Sequence, residues 1–359
     1  MTELVGQSLA WSFAQLVHIV RMMYWVWVPG FLLSAFLSLK YRRGAWDGLL
    51  AHGKAGFVRA FPWALWYGVT ASPRPRATLE DAHRLLGAGV SPAGVMAALV
   101  ASRNLPLFLL ALLTLHLGIE FAVGHVLATA AMAGAVYAGV AVGSIAGGRR
   151  TTNLTPSAPA RPWTSWRGDA LESPSWRALL LRRRGWARIL RSGWTEVRWL
   201  WPGLAIGILA GGFVLAAGLK AWWVELADVA GRRVASDLVN AAVGPLVGAL
   251  LALPPVGNLP LGTAFFKTDA LAYPGLVGFI LASSLRVPDL VAYHRLWGAG
   301  AGVRLGVVLY GGAVAGSLAA TATFALFGFR PGHIPLFREL VDEILRWIPF
   351  AMPAGGMAM

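Results

Sequence analysis

The chain reads as long apolar runs interrupted at a few places by proline, glycine and charge. The runs lie near 11–38, 55–71, 90–102, 105–123 and 125–146, and then near 199–220, 238–252, 271–285, 303–328 and 334–352. Continuous apolar runs predict helices, because a backbone in lipid must satisfy its own hydrogen bonds. A membrane barrel would show short alternating segments instead. A full crossing needs about twenty residues. The runs at 90–102 and 271–285 are too short for that, and both follow proline-rich breaks.

Those two short runs also match each other. "GVSPAGVMAALVASRNLP" (89–106) aligns with "LAYPGLVGFILASSLRVP" (271–288) at an offset of 182 residues. Pro92 falls on Pro274, Leu99 on Leu281, Ser102 on Ser284 and Pro106 on Pro288. The same offset carries 55–71 onto 238–252 and 125–146 onto 307–328. An internal repeat of five segments follows. An odd number of segments per half makes the halves inverted in the membrane. The expected fold is an all-α polytopic membrane protein of about ten transmembrane or re-entrant segments, built as two inverted five-segment repeats with broken helices. The expected divisions are a first membrane repeat at 1–148, a basic cytoplasmic linker at 149–198 and a second repeat at 199–359.

Charge orients this arrangement. Only 13% of the 359 residues are charged, about half the soluble norm of roughly 25%, yet the net charge is +15. The stretch 149–198 holds eleven arginines against Asp169, Glu172 and Glu196. Cytoplasmic loops carry such an excess, so this connection is placed inside, together with Lys40, Arg42, Arg43 and Lys54, and the N-terminus outside. The basic, Trp-bearing "WRALLLRRRGWARILRSGW" fits a membrane surface. Nucleic acid is not expected as a partner. The partners are the lipid bilayer and a small-molecule or small-ion solute, in the bacterial cytoplasmic (inner) membrane. No cleaved signal peptide is read at the N-terminus.

There is no cysteine, which removes disulfides and thiolate chemistry. The seven histidines, among them His52, His83, His125, His294 and His333, show no metalloprotease spacing, and neither a P-loop nor a nucleophile elbow is present. No enzyme and no cofactor are expected, apart from a coupling proton or ion. A membrane-embedded enzyme and a non-transporting scaffold docking through 149–198 stand as the alternatives.

Broken helices in inverted repeats place a solute site near the midplane. The breaks are "VTASPRPR" (69–76) and "LPPVGNLPLG" (253–262). In the second, Gly257 permits unusual backbone angles and Asn258 sits in irregular backbone between prolines. Its amide either binds solute or holds the turn in shape. Arg103 interrupts an apolar run beside Ser102 and Asn104, and a charge at membrane depth costs roughly 3 kcal/mol. Arg286 lies near its repeat-mate position, beside Ser283 and Ser284. Two arginines reaching one cavity would suit a small anion; two arginines at helix ends would instead snorkel to headgroups. His116 and Glu120 share a helix face, either as a proton relay or as a pair near the outer surface. His18 and Arg21 cap the first helix, and Lys267 and Asp269 form a surface pair.

"VASRNLPLFLLALLTLHLG" and "PVGNLPLGTAFFKTDALAYPGLVGFILASSLRVPDLVAYHRLWG" resemble the two signature regions of a bacterial predicted-permease family. That family includes the organoarsenical efflux permeases of ArsP type and their YraQ-type relatives. The resemblance rests on Ala101, Ser102, Asn104 and Leu105, and on Gly257, Asn258, Pro260 and Leu261. Tyr293, Arg295, Trp297 and Gly298 echo a later family segment. "PGFLLSAFL" (29–37) and "GVVLYGGAVAGSL" (306–318) are similar to other family helices. The resemblance implies a ten-helix permease that exports small solutes with ion coupling. Two departures matter. The cysteines that relatives carry at the breaks are missing here, so soft metalloids cannot be captured by thiolate. Ser283 stands where relatives often place an aspartate.

Overall fold

A computed structural model describes residues 13, 28–42, 44–53, 56–71, 75–146, 174–216, 233–267, 270–297, 299–329 and 331. Among them every regular element is helical. Helical residues 28–42 and 44–52 (α1) lead into α2 (Phe57–Thr70), α3 (Pro75–Gly87), α4 (Pro92–Asn104), α5 (Leu107–His116) and α6 (Ile119–Ala146). After 174 come α7 (Trp176–Leu180), α8 (Arg183–Ala216), α9 (Arg233–Leu251), α10 (Pro255–Lys267) and α11 (Tyr273–Leu281). A 3-10 turn (Ala282–Ser284) follows, then α12 (Val287–Trp297) and α13 (Ala299–Leu326).

Four stretches are long and apolar enough to cross a membrane: Ile119–Val142, Arg183–Val214, Tyr273–Arg295 and Gly300–Leu326. The bent pair Pro92–Asn104 and Leu107–Thr114, angled at 44°, makes a fifth if it is one span. The chain is a multi-pass membrane protein.

Local chemistry sets the ends of the short helices. Ser91 caps α4, its hydroxyl accepting from the Gly94 N–H at 3.2 Å, and Pro92 takes the first turn, where no N–H is needed. Pro106 disfavours helical backbone in the residue before it, and α4 stops at Asn104. Pro274 opens α11 in the same way, and Pro288 follows its 3-10 end.

Several expected boundaries move. The run at 105–123 is two helices, because Gly118 turns the chain at a φ of 115° and α6 starts at Ile119. The expected 199–220 helix begins at Arg183, so the basic, tryptophan-bearing stretch from Arg183 onward is helical and continuous with the apolar part. Arg177, Arg182, Arg183, Arg184, Arg188 and Arg191 are all exposed there. The polar α3 and the proline-bearing α10 both follow the breaks as helices that apolar periodicity alone does not mark. The expected runs 11–27 and 334–352, with His18, Arg21, Arg43, Lys54, Asp269 and the 149–173 loop, lie outside the described residues.

Packing is by close backbone approach, as expected where lipid supplies no hydrophobic force between helices. α4 packs between α2 and α6, α11 against α9, and α6 against α13. A Cβ on Gly316 would run into the Ala128 carbonyl of α6. On α8, a Cβ on Gly203 would meet Pro254, and one on Gly207 would meet the Gly257 backbone of α10.

Candidate functional site

The C-terminal ends of α4 and of the α11 turn meet in one buried polar layer. Asn104 is the link. Its amide nitrogen donates to Val100 O at 3.0 Å and to Ser284 Oγ at 3.3 Å, and its amide oxygen accepts from Ser283 Oγ at 2.7 Å. All three residues have no solvent exposure. Helix ends leave carbonyls without intrahelical partners, and here side chains from other helices take them. His125 Nε2 of α6 lies 2.9 Å from Asn104 O. The Tyr293 hydroxyl of α12 donates to Ser284 O at 3.3 Å, and Arg286 Nε donates to Ser283 O at 3.1 Å.

The charges join the same layer. Asp289 of α12 accepts from Arg103 at 3.1 Å through Oδ1. Through Oδ2 it meets Arg286 Nε at 2.8 Å and the adjoining guanidinium nitrogen at 2.6 Å. Arg103, Arg286 and Asp289 are 2%, 6% and 3% exposed. Removing three charges from solvent is costly unless each is paired and hydrogen-bonded. One aspartate shared by two arginines goes toward meeting that requirement. Arg103 also sits in the last turn of α4, where the backbone dipole favours a cation, whereas Arg286 stands just before α12.

The remaining sequence candidates fall close by, with two corrections. Asn258 is not in irregular backbone: α10 begins at Pro255, which is suited to a first helical turn, so only 252–254 break the helix. The Asn258 amide donates to Phe279 O at 3.3 Å, one turn of α11 before Ser283, while its Oδ1 is buried and accepts nothing. Gly257 does not use an unusual backbone angle; it is helical, and it admits the Gly203 backbone of α8. The Ser102 hydroxyl bonds back to Leu99 O at 2.8 Å.

Glu120 is buried at the start of α6, with Oε2 unpartnered; the Tyr273 hydroxyl is also buried without a hydrogen bond. The side chain of His116 lies outside those described. Lys267 is exposed at the end of α10. Among the described residues no group of three or more His, Asp or Glu converges as a metal would require.

Two members of the layer, Asp289 and His125, were not singled out in the sequence as site residues, and Tyr293 entered only through the family resemblance. The i, i+3 spacing of Arg286 and Asp289 is the one local signal for the aspartate. A second buried ionic group lies in the first half. Asp81 of α3 accepts from Tyr67 of α2 at 2.7 Å and from Arg42 of α1.

A family described as a predicted permease (ArsP_1) matches residues 11–321 of the 359. The chain belongs to this family. The match takes in both broken helices and every residue of the polar layer. Comparison with curated proteins and with solved structures found no match.

Proposed function

We propose that the chain is a secondary permease that exports a small solute across the bacterial inner membrane by alternating access between two inverted repeats. The observation that carries this is the meeting of two short, proline-flanked helix ends in one buried polar layer. A protein that only docks partners has no need of such a layer, and a permease has to have one.

The pairing of elements across the halves supports the repeat. At offsets of 176 to 181 residues, α2 pairs with α9, α3 with α10, α4 with α11 and its 3-10 turn, α5 with α12, and α6 with α13. α4 packs against α2 as α11 packs against α9. In this reading Asn104, Ser283, Ser284, Arg103, Arg286 and Asn258 offer the solute hydrogen bonds and charge, with Ser102 beside them and Gly257 admitting the neighbouring backbone. Asp289 sets the charge of the site. Exchanging protein–protein bonds for protein–solute bonds as the halves rock costs little, because each group keeps a partner.

The test is flux in proteoliposomes across a panel of small oxyanions, organoarsenicals and metal cations, with and without a proton gradient. Asn104→Ala and Asn258→Ala should abolish flux while membrane expression persists. Wild-type flux in both variants would remove these amides from the pathway.

A further inference from the structure

The first turns of α8 present apolar and cationic side chains side by side. With about 3.6 residues per turn, positions 185, 189, 193, 196 and 200 share one face. That face is buried: Gly193 lies against the Phe31 carbonyl and Ala35 of α1, the Ser34 hydroxyl donates to Glu196 at 3.3 Å, and Ile189 packs with Ala35 and Leu179. The next face carries Trp186, Leu190 and Trp194, all exposed, Trp194 to 67%. The third carries Arg184, Arg188, Arg191 and Arg198, also exposed. α7 folds back onto this head. A Cβ on Gly185 would strike the Ala178 and Leu179 carbonyls, and the Trp186 indole N–H donates to Leu180 O at 2.8 Å. Glu196 is the one acid among residues 174–198, and it is buried. The arginine face therefore meets no carboxylate of its own segment.

We infer that this head is a binding surface for anionic phospholipid. The inference is independent of the permease reading. Residues 199–216 are uncharged, and at about 1.5 Å per residue their length approaches a hydrocarbon core of about 30 Å. The arginine face begins at Arg198, where that stretch ends, at headgroup depth. Pro202 cannot bond the Arg198 carbonyl, and helices bend at such sites. A head inclined there lays its indoles and Leu190 on the acyl boundary and its guanidinium groups among the phosphates. Each side chain then has the surroundings it favours: indole at the interface, guanidinium on a phosphodiester through paired N–H bonds. A zwitterionic headgroup offers the same phosphate but carries its own cation, so a lipid of net negative charge is preferred. A nucleic acid would satisfy the arginines and leave the indoles in water. Because α8 meets α10 backbone to backbone, a lipid that holds the head also holds the helix bearing Asn258.

The experiment uses the purified full chain, delipidated in neutral detergent. It is offered phosphatidylglycerol and phosphatidylcholine of the same acyl chains in equal amounts, and the lipids retained are counted by native mass spectrometry. The wild type should keep phosphatidylglycerol in preference. An arginine near an anionic surface contributes about fivefold in affinity, so Arg184→Gln/Arg188→Gln/Arg191→Gln should lower that preference by roughly a hundredfold. Arg59→Gln/Arg84→Gln/Arg295→Gln, which removes the same charge from other exposed positions, should keep the wild-type preference. Trp186→Ala/Trp194→Ala should weaken retention of both lipids alike. A preference that survives in the first triple variant, or is lost equally in the second, overturns the inference. Inorganic phosphate displacing phosphatidylglycerol at equal concentration also overturns it, in favour of a soluble-phosphate site. If the first triple variant does not fold, its three single variants decide: about a fivefold loss is expected in each, and no loss in any of them overturns the lipid surface.

Discussion

α3 and α10 are each the helix that follows a break, yet they are held in opposite ways. α3 reads "PRATLEDAHRLLG" and carries Arg76, Glu80, Asp81 and Arg84. Its buried Asp81 is tied to Arg42 and Tyr67 by charge and hydrogen bond. α10 reads "PVGNLPLGTAFFK" and is buried from Pro255 to Phe265, with Lys267 its one charge. It is held by backbone touching backbone against α8. A helix that follows a break can thus be fixed by ions or by the absence of side chains. The first solution is open to rearrangement by charge, while the second admits no adjustment.

Four changes would break or sharpen that contrast. The largest effect is expected from Asp81→Ala, which strands the Arg42 charge beside a buried tyrosine. Breaking a buried pair costs about 3–5 kcal/mol, and the partial exposure of Arg42 puts this case at the lower end. Unfolding of the purified protein measures it, and a loss too small to detect would mean that α3 is not held by its ions. Gly207→Leu on the packed side should come next. A side chain there meets the Gly257 backbone, and overpacking costs about 1–3 kcal/mol; an unchanged unfolding temperature would deny the close crossing.

Asn104→Ala acts at the junction of the two halves. It removes bonds to Ser283 and Ser284, and interhelical hydrogen bonds in membranes contribute about 1–2 kcal/mol in model peptides. Flux should fall much further than stability, which separates a site residue from a structural one. The smallest effect belongs to Ser102→Ala. Its hydroxyl is spent on its own helix, so less than about 1 kcal/mol and less than about a twofold change in flux are expected; a larger loss of flux would place Ser102 on the solute path.

How much of this was legible in the sequence follows from range. The short helices 92–104 and 273–284 were readable because prolines and a serine cap mark their ends within a few residues. Asn104, Ser283, Ser284, Arg103 and Arg286 stood out as polar groups in apolar runs. Asp289 did not. It lies 186 residues from Arg103, and its role depends on a contact that no local pattern encodes. Arg103 therefore read as a choice between a solute charge and a headgroup anchor. The structure buries it to 2% and pairs it with an aspartate. The helix continuing from Arg183 was missed for another reason: its first four turns are basic and its later turns apolar, so hydropathy marks a boundary where the backbone has none.

The α8–α10 crossing has a mechanical consequence. Gly203 and Gly207 leave no cushion of side chain between the two helices, so neither can slide along the other without atoms colliding. Helices locked in this manner turn and tilt as one rod. Asn258 rides on that rod, and its distance from the arginine-covered head of α8 stays fixed through any transport cycle. A pair of reporter groups placed on α8 and α10 should therefore show a constant separation while solute is crossing, and the hinge has to be sought between this rod and α11.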